Sequence, residues 1–418
     1  MGSSASKYTG DKPKNLVIVG AGYAGMGVAR ALAKDPAFDG SITVVDPRES
    51  LHHNLGFLRA AADPRWTPNM LVPRSIAGVT HQRAEVTSVT DEAVTCDDGS
   101  VLPYDYLVFA TGSDYNSPGK LPMSVRTDEE AKAYLARVNE AIKKASKITI
   151  VGGGPVGCEL AGELTEVVTG KEVTLIHSGP HLFNTSRGVK PKMWEKTEAI
   201  MKAAGVNVIF NERVEGKPAA AAGGAGESEG KAAEAGGDAE LLASGIQVGP
   251  TTLTTDKGTT VEADLVFWCG GARVRSGAFA AFLGDAGVDK RGRAMVDGYF
   301  RCKAKADGGR VFAVGDCQVG PEAEDAKLFN ANNQCAFLAK VLAAAARGKT
   351  TDAELGKAYK VAAWEGLFAP YGPKDGVAQL PNGMVMGSGL ASMKGGDFFY
   401  GRTWKEQGNK TAPPKPGK

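Results

Sequence analysis

Short runs of β-branched apolar residues recur along the chain, and two of them run into the same glycine spacing. Val17-Ile18-Val19 leads into Gly20-Ala21-Gly22-Tyr23-Ala24-Gly25, and Ile148-Thr149-Ile150-Val151 leads into Gly152-Gly153-Gly154-Pro155-Val156-Gly157. Such runs predict strands, and the apolar spacing after each glycine cluster predicts a helix. The first helix is predicted over Tyr23 to Lys34. The second runs from Pro155 through Cys158, Glu159, Leu160 and Leu164 to about Val168. Further strands are expected at Ser41–Val45, Tyr104–Phe109, Glu172–Ile176, Leu265–Cys269 and Val311–Val314, with a β-rich stretch around Arg83 to Thr95. Apolar positions Ala131, Leu135, Val138 and Ile142 place a helix over Asp128 to Lys144, and another is expected from near Lys327. Alternating strands and helices predict an α/β protein.

The repeated G-x-G-x-x-G carries chemistry. Gly20 permits the tight turn out of the strand, Gly22 lets a pyrophosphate approach the backbone, and Gly25 lets the helix pack closely. The helix N-terminus then meets the anion with free N–H groups and a favourable dipole. Asp46, at the end of the second strand and 26 residues after Gly20, is placed to accept ribose hydroxyls. Gly152, Gly154 and Gly157 repeat the device, but the following strand ends at His177-Ser178, with no acid. A carboxylate there would repel the 2′-phosphate of NADP. His177, Ser178 and Arg187 tolerate it, so the second unit is expected to take NADPH, NADH or both. One such motif is weak; two about 130 residues apart imply two Rossmann-like dinucleotide-binding domains. That suits a flavoprotein passing electrons from a nicotinamide to a flavin.

Segment order extends the plan. Thr111 and Gly112, in Ala110-Thr111-Gly112-Ser113, follow an apolar strand where the chain crosses between units. Gly315-Asp316 ends a later strand, so Asp316 is expected on the ribityl chain of the flavin, with the helix from Lys327 and Leu328 aimed at its pyrimidine end. The expected division is a flexible 1–13, FAD-binding parts at 14–122 and 288–345, an NAD(P)H-binding domain at 123–287, and a C-terminal segment at 346–418. Within the NAD(P)H-binding domain, 216–245 is so rich in Ala, Gly and Glu that a disordered insert is expected, with a weak helix at most inside Lys231 to Leu242.

Composition removes rivals. A net charge of +2 gives no case for nucleic acid as a partner. No apolar run reaches the roughly 18 residues that span a bilayer. The six cysteines include no C-x-x-C or C-x-x-x-x-C, so chemistry through a flavin-side disulfide is not expected. No histidine pairs with cysteine at zinc-ligand spacing, so no metal is expected.

His52-His53-Asn54, Leu58-Arg59-Ala60, Leu175-Ile176-His177-Ser178, Thr255-Asp256-Lys257-Gly258-Thr259, Gly315-Asp316-Cys317, Asp375-Gly376-Val377-Ala378-Gln379 and Thr403-Trp404-Lys405 narrow the choice among flavoproteins. With the two glycine motifs, they make the chain resemble the AIF-like flavoproteins over nearly its whole length outside the insert. The resemblance implies a glutathione-reductase-like fold with a small C-terminal segment, containing FAD and using NADPH, NADH or both. It implies an NAD(P)H:quinone oxidoreductase acting on a lipid quinone of the ubiquinone or vitamin K type, in protection against lipid peroxidation. It places Glu159 beside the nicotinamide, Lys394 and Phe399 near the flavin and the quinone entrance, and His53 and Arg59 among the FAD residues. Phe329 departs from the animal pattern and would narrow the site. Readings left open are a type II NADH dehydrogenase, a monodehydroascorbate or ferredoxin reductase, and a redox-sensing or cell-death signalling flavoprotein with little turnover.

Met1-Gly2-Ser3-Ser4-Ala5-Ser6 fits the myristoylation pattern, with Gly2 as acceptor. One myristate binds marginally, so Lys7, Lys12 and Lys14, or Lys405, Lys410, Lys415 and Lys418, are expected to add a basic contact. A peripheral enzyme on the cytosolic face of a membrane follows (plasma membrane, lipid droplet or mitochondrial outer membrane), as a monomer or homodimer.

Overall fold

The computed structural model describes residues 14–116, 118–183, 188–216, 237–322, 328–361 and 366–417, with the backbone alone at 306–308 and 328–330. Two five-stranded sheets organise it. The first has the order Val311–Ala313, Tyr106–Phe109, Asn15–Val19, Ser41–Val45, Val79–Gln82, all parallel. Val17, Ile18, Val108 and Phe109 are buried, as a parallel strand covered on both faces requires. Helices Tyr23–Leu32 and Leu328–Ala346 pack together beside it. They cross closely: a Cβ at Gly27 would lie 3.0 Å from Cys335 Sγ.

The second sheet repeats the plan in the order Asn207–Phe210, Glu172–His177, Lys147–Val151, Thr260–Trp268, Ile246–Thr254, with only the last strand antiparallel. Helix Pro155–Glu166 follows its central strand. Helix Asp128–Lys144 precedes that strand and starts on a capping box, in which Thr127 accepts from Glu130 N–H and the Glu130 carboxylate accepts from Thr127 N–H.

The two crossings between the units are tied together: Ser113–Asp114 pairs antiparallel with Arg273–Val274. Beyond the second crossing, Phe279 and Leu283 already pack in the first unit's core. Residues 86–103 form a three-stranded meander, and Leu367–Tyr371, Asp375–Gln379 and Val385–Met386 form another near the C-terminus. Helices Ser388–Asp397 and Tyr400–Glu406 close the chain.

The end of the expected disordered insert is ordered. Helix Gly237–Ala243 buries Leu241 and Ala243, and a strand begins at Ile246. Burial of Leu241 in the second core outweighs the poor composition around it. Positions 217–236 lie outside the described residues, as do Gly2, Arg187 and Lys327.

Candidate functional site

Both glycine turns have the same geometry. Gly20 has φ +104° and Gly152 φ +121°, a region in which an L side chain is strained. A Cβ at Gly25 would stand 1.9 Å from the Gly20 carbonyl oxygen, and one at Gly157 would stand 1.9 Å from that of Gly152. At Gly22 and Gly154 a Cβ would meet nothing within 4 Å. These two open positions cap the following helices, where a diphosphate finds backbone N–H groups and no side chain in its path.

Around the first turn, sequence reasoning missed a cluster of cations. The Asp46 carboxylate accepts from Ala21 N–H at 2.8 Å and Arg48 N–H at 2.9 Å, and it pairs with Arg74 at 3.3 Å. Arg74 and Arg48, with these amides, hold its carboxyl below the usual range despite burial. Arg48 donates to the Leu121 carbonyl at 2.7 Å, and Arg275 pairs with Asp114. Burial, and then Arg275, push the Arg48 guanidinium down to about 9. Burial and the three arginines push His52 well below its ordinary value. Arg48 Nε, Arg74 Nε and both His52 ring nitrogens are buried without a hydrogen-bond partner among the described residues. Crowded cations with unused donors beside an open glycine turn fit the diphosphate of FAD. Only Arg48, two residues from Asp46, carries a positional hint in the sequence; the loops that bring Arg74 and Arg275 there have no pattern.

Asp316 closes the other end of this site on the 3₁₀ turn Gly315–Cys317. It accepts from Ser113 Oγ at 2.6 Å and lies 3.6 Å from Lys120 Nζ, which also donates to the Ser113 carbonyl at 2.6 Å. Thr111 Oγ donates to the Arg275 carbonyl at 2.6 Å, and Gly112 turns with φ +71°. Leu328 opens the helix Leu328–Ala346.

In the second unit His177 occupies the place of Asp46. Ala21 N–H donates to Asp46 Oδ2 at 2.8 Å, and Gly153 N–H donates to His177 Nδ1 at 3.1 Å. The ring closes the turn without bringing a negative charge. His177→Asp is therefore expected to keep the turn and change cofactor choice. The KM for NADPH should rise at least about tenfold relative to that for NADH, from like-charge repulsion of the 2′-phosphate. Parallel titrations with NADP+ and NAD+ check this, and equal shifts for both would count against it.

The C-terminal segment reaches the second fingerprint helix. Lys394 Nζ donates to Glu159 Oε1 at 2.7 Å and to the Phe368 carbonyl at 3.0 Å. Burial raises the Glu159 carboxyl, and Lys394 opposes that rise. One turn on, Glu163 pairs with Arg59, which also donates to the Gly395 carbonyl at 3.3 Å. Arg59 lies under the rings of Phe398, at 5.0 Å, and Trp66, at 5.5 Å.

Two of the expected FAD residues also bond within the chain. His53 Nε2 faces the Phe398 carbonyl at 2.7 Å and Nδ1 faces the Tyr23 hydroxyl at 3.0 Å. The Arg59 guanidinium is spent on Glu163 and Gly395. Both side chains join distant chain segments. Phe399, five residues beyond Lys394, is partly exposed. No disulfide joins the six cysteines, and burial raises the Cys158 thiol well above its ordinary range, which disfavours the reactive thiolate.

A family described as pyridine nucleotide-disulphide oxidoreductase matches residues 14–333, and the chain belongs to it. It is an FAD-dependent NAD(P)H oxidoreductase. It is 30% identical over 416 residues to apoptosis-inducing factor homolog B of Dictyostelium discoideum, an alignment covering 96% of this chain and 98% of that one. It is 28% identical to ferroptosis suppressor protein 1 of Taeniopygia guttata, with coverage of 96% and 98%. The sulfide:quinone oxidoreductase of Aquifex aeolicus shares the fold, with a TM-score of 0.68 at 17% identity over 96% of this chain and 93% of that one.

Proposed function

We propose that the chain is a membrane-associated NAD(P)H:quinone oxidoreductase that keeps a lipid quinone, of the ubiquinone or vitamin K type, reduced against lipid peroxidation. The observation that carries this reading is the Lys394–Glu159 contact, which ties the C-terminal segment to the helix of the second glycine turn. FAD, when bound, supplies two-electron carriage between the nicotinamide and the acceptor. Gly154 and the N-terminus of helix Pro155–Glu166 bind the nicotinamide's diphosphate, and Glu159 stands one turn further along. Lys394 Nζ holds its protons between Glu159 Oε1 and the Phe368 carbonyl, in a site largely closed to water. Phe399 offers a flat apolar contact for a quinone ring at the surface. The name of one relative, ferroptosis suppressor protein 1, supports the protective role.

Among the described residues six large apolar side chains are exposed. Four of them, Met384, Met386, Met393 and Phe399, fall within one stretch of the C-terminal segment. A groove beside Met384 is lined by Lys190 and Lys192. Apolar side chains next to basic ones suit an anionic lipid surface, and N-myristate on Gly2 would supply the second anchor at the cytosolic face. No helix among the described residues is long and apolar enough to cross a membrane.

Anaerobic addition of NADPH or NADH is expected to bleach the flavin, and a soluble ubiquinone analogue is expected to restore its colour within seconds. Bleaching without reoxidation by the quinone would remove the acceptor from this reading.

A further inference from the structure

Two consecutive non-glycine residues in the left-handed backbone region join the last two helices: Phe398 with φ 53° and Phe399 with φ 57°. Such a backbone is unfavourable for a side chain with a Cβ, so the pair persists only where its surroundings hold it. Local bonds contribute. Phe398 N–H donates to the Lys394 carbonyl at 2.6 Å, and Phe399 N–H donates to Asp397 Oδ1 at 2.9 Å. One bond comes from the far end of the chain, from His53 Nε2 to the Phe398 carbonyl at 2.7 Å. The Phe398 ring is buried against Trp66, with centroids 6.0 Å apart, whereas Phe399 is 37% exposed.

The partners fix the tautomer. A carbonyl only accepts, so Nε2 carries the hydrogen and Nδ1 accepts from the Tyr23 hydroxyl at 3.0 Å. Burial pushes the imidazole down to about 4 and the Tyr23 phenol up, so both are neutral near pH 7. Donation therefore runs one way, from Tyr23 to His53 to Phe398. Tyr23 is the first residue of the helix that follows the first glycine turn.

We propose that His53 is a positioning residue for the acceptor side. It ties the FAD-binding helix to the Phe398–Phe399 turn and so holds Phe399 in the exposed pose that meets a quinoid acceptor. The role of the turn rests on the acceptor reading above; the tie itself does not. With both nitrogens engaged by Phe398 and Tyr23, the effect of His53 on the acceptor side passes through the turn.

His53→Leu fills a similar volume but donates nothing. It is expected to raise the KM for a soluble ubiquinone analogue about tenfold, with FAD content and the rate of bleaching by NAD(P)H nearly unchanged. Amide hydrogen exchange across Phe398 to Thr403 is expected to quicken in the same variant with no acceptor present. His53→Gln places an N–H close to the position of Nε2 and should recover both readouts; Tyr23→Phe should shift them less, in the same direction. The proposal fails if exchange does not quicken, if acceptor KM stays fixed while it does, if nicotinamide and acceptor kinetics decline together, or if His53→Gln recovers nothing. Should the unaltered protein fail to pass electrons to the quinone, the acceptor reading falls, while exchange and its recovery by Gln still decide the tie.

Discussion

Gly157→Ala is expected to give a yellow protein that NAD(P)H no longer bleaches, and Gly25→Ala a colourless one. In each case the new Cβ would stand 1.9 Å from a backbone carbonyl oxygen of its own turn, at Gly152 or at Gly20. Neither oxygen belongs to a flexible side chain, so the helix itself must move away from the strand. The N–H groups that meet the diphosphate move with it, and an affinity loss of about a hundredfold or more follows from displaced charge-assisted bonds worth roughly 1.5–3 kcal/mol each. Flavin absorbance after desalting and the bleaching rate separate the two variants. Loss of FAD from Gly157→Ala would reverse the assignment of the two units.

Arg59→Leu is expected to destabilise the protein by about 3–5 kcal/mol, because Glu163 would be left buried and charged. The pair has side-chain exposures of 4% and 2%, so solvent screens it little. The pH dependence has a definite sign. Burial already holds the Glu163 carboxyl above its ordinary value with Arg59 in place, and removal of Arg59 lifts it further. A folded-state value above the unfolded one means that the penalty vanishes below the unfolded value of about 4.3 and grows as pH rises through the folded one. The fall in melting temperature should accordingly be smaller at pH 5 than at pH 8. Adding Glu163→Gln should recover most of it at pH 8; a pH-independent fall would show that lost packing dominates.

The parts of this architecture legible in the sequence are those written locally. Strands Asn15–Val19 and Lys147–Val151 are apolar runs, and helix Asp128–Lys144 shows its buried face at Ala131, Leu135, Val138 and Ile142. The missing acid after Glu172–Ile176 was equally visible at His177, although its bond to Gly153 was not. What the sequence hides is pairing at a distance. Arg59 meets Glu163 across 104 positions, and His53 meets Phe398 across 345. Nothing local to His53 or Arg59 announces partners so remote. Helix Gly237–Ala243 was legible only as a weak helix inside Lys231 to Leu242: in a run of Ala, Gly and Glu, the core that receives Leu241 makes the helix worth forming.

The crowd of Arg48, Arg74 and Arg275 around the first glycine turn bears on the life of the protein in a cell. Asp46 and Asp114 offset part of the repulsion among these cations, and a diphosphate bound at their unused donors would offset more. FAD bound there would act as a folding ligand, adding stability in proportion to the logarithm of its concentration. A small change in the folded fraction is enough to alter turnover by proteases severalfold. Riboflavin supply would then govern how much of this chain survives after synthesis, and not only how much of it is active.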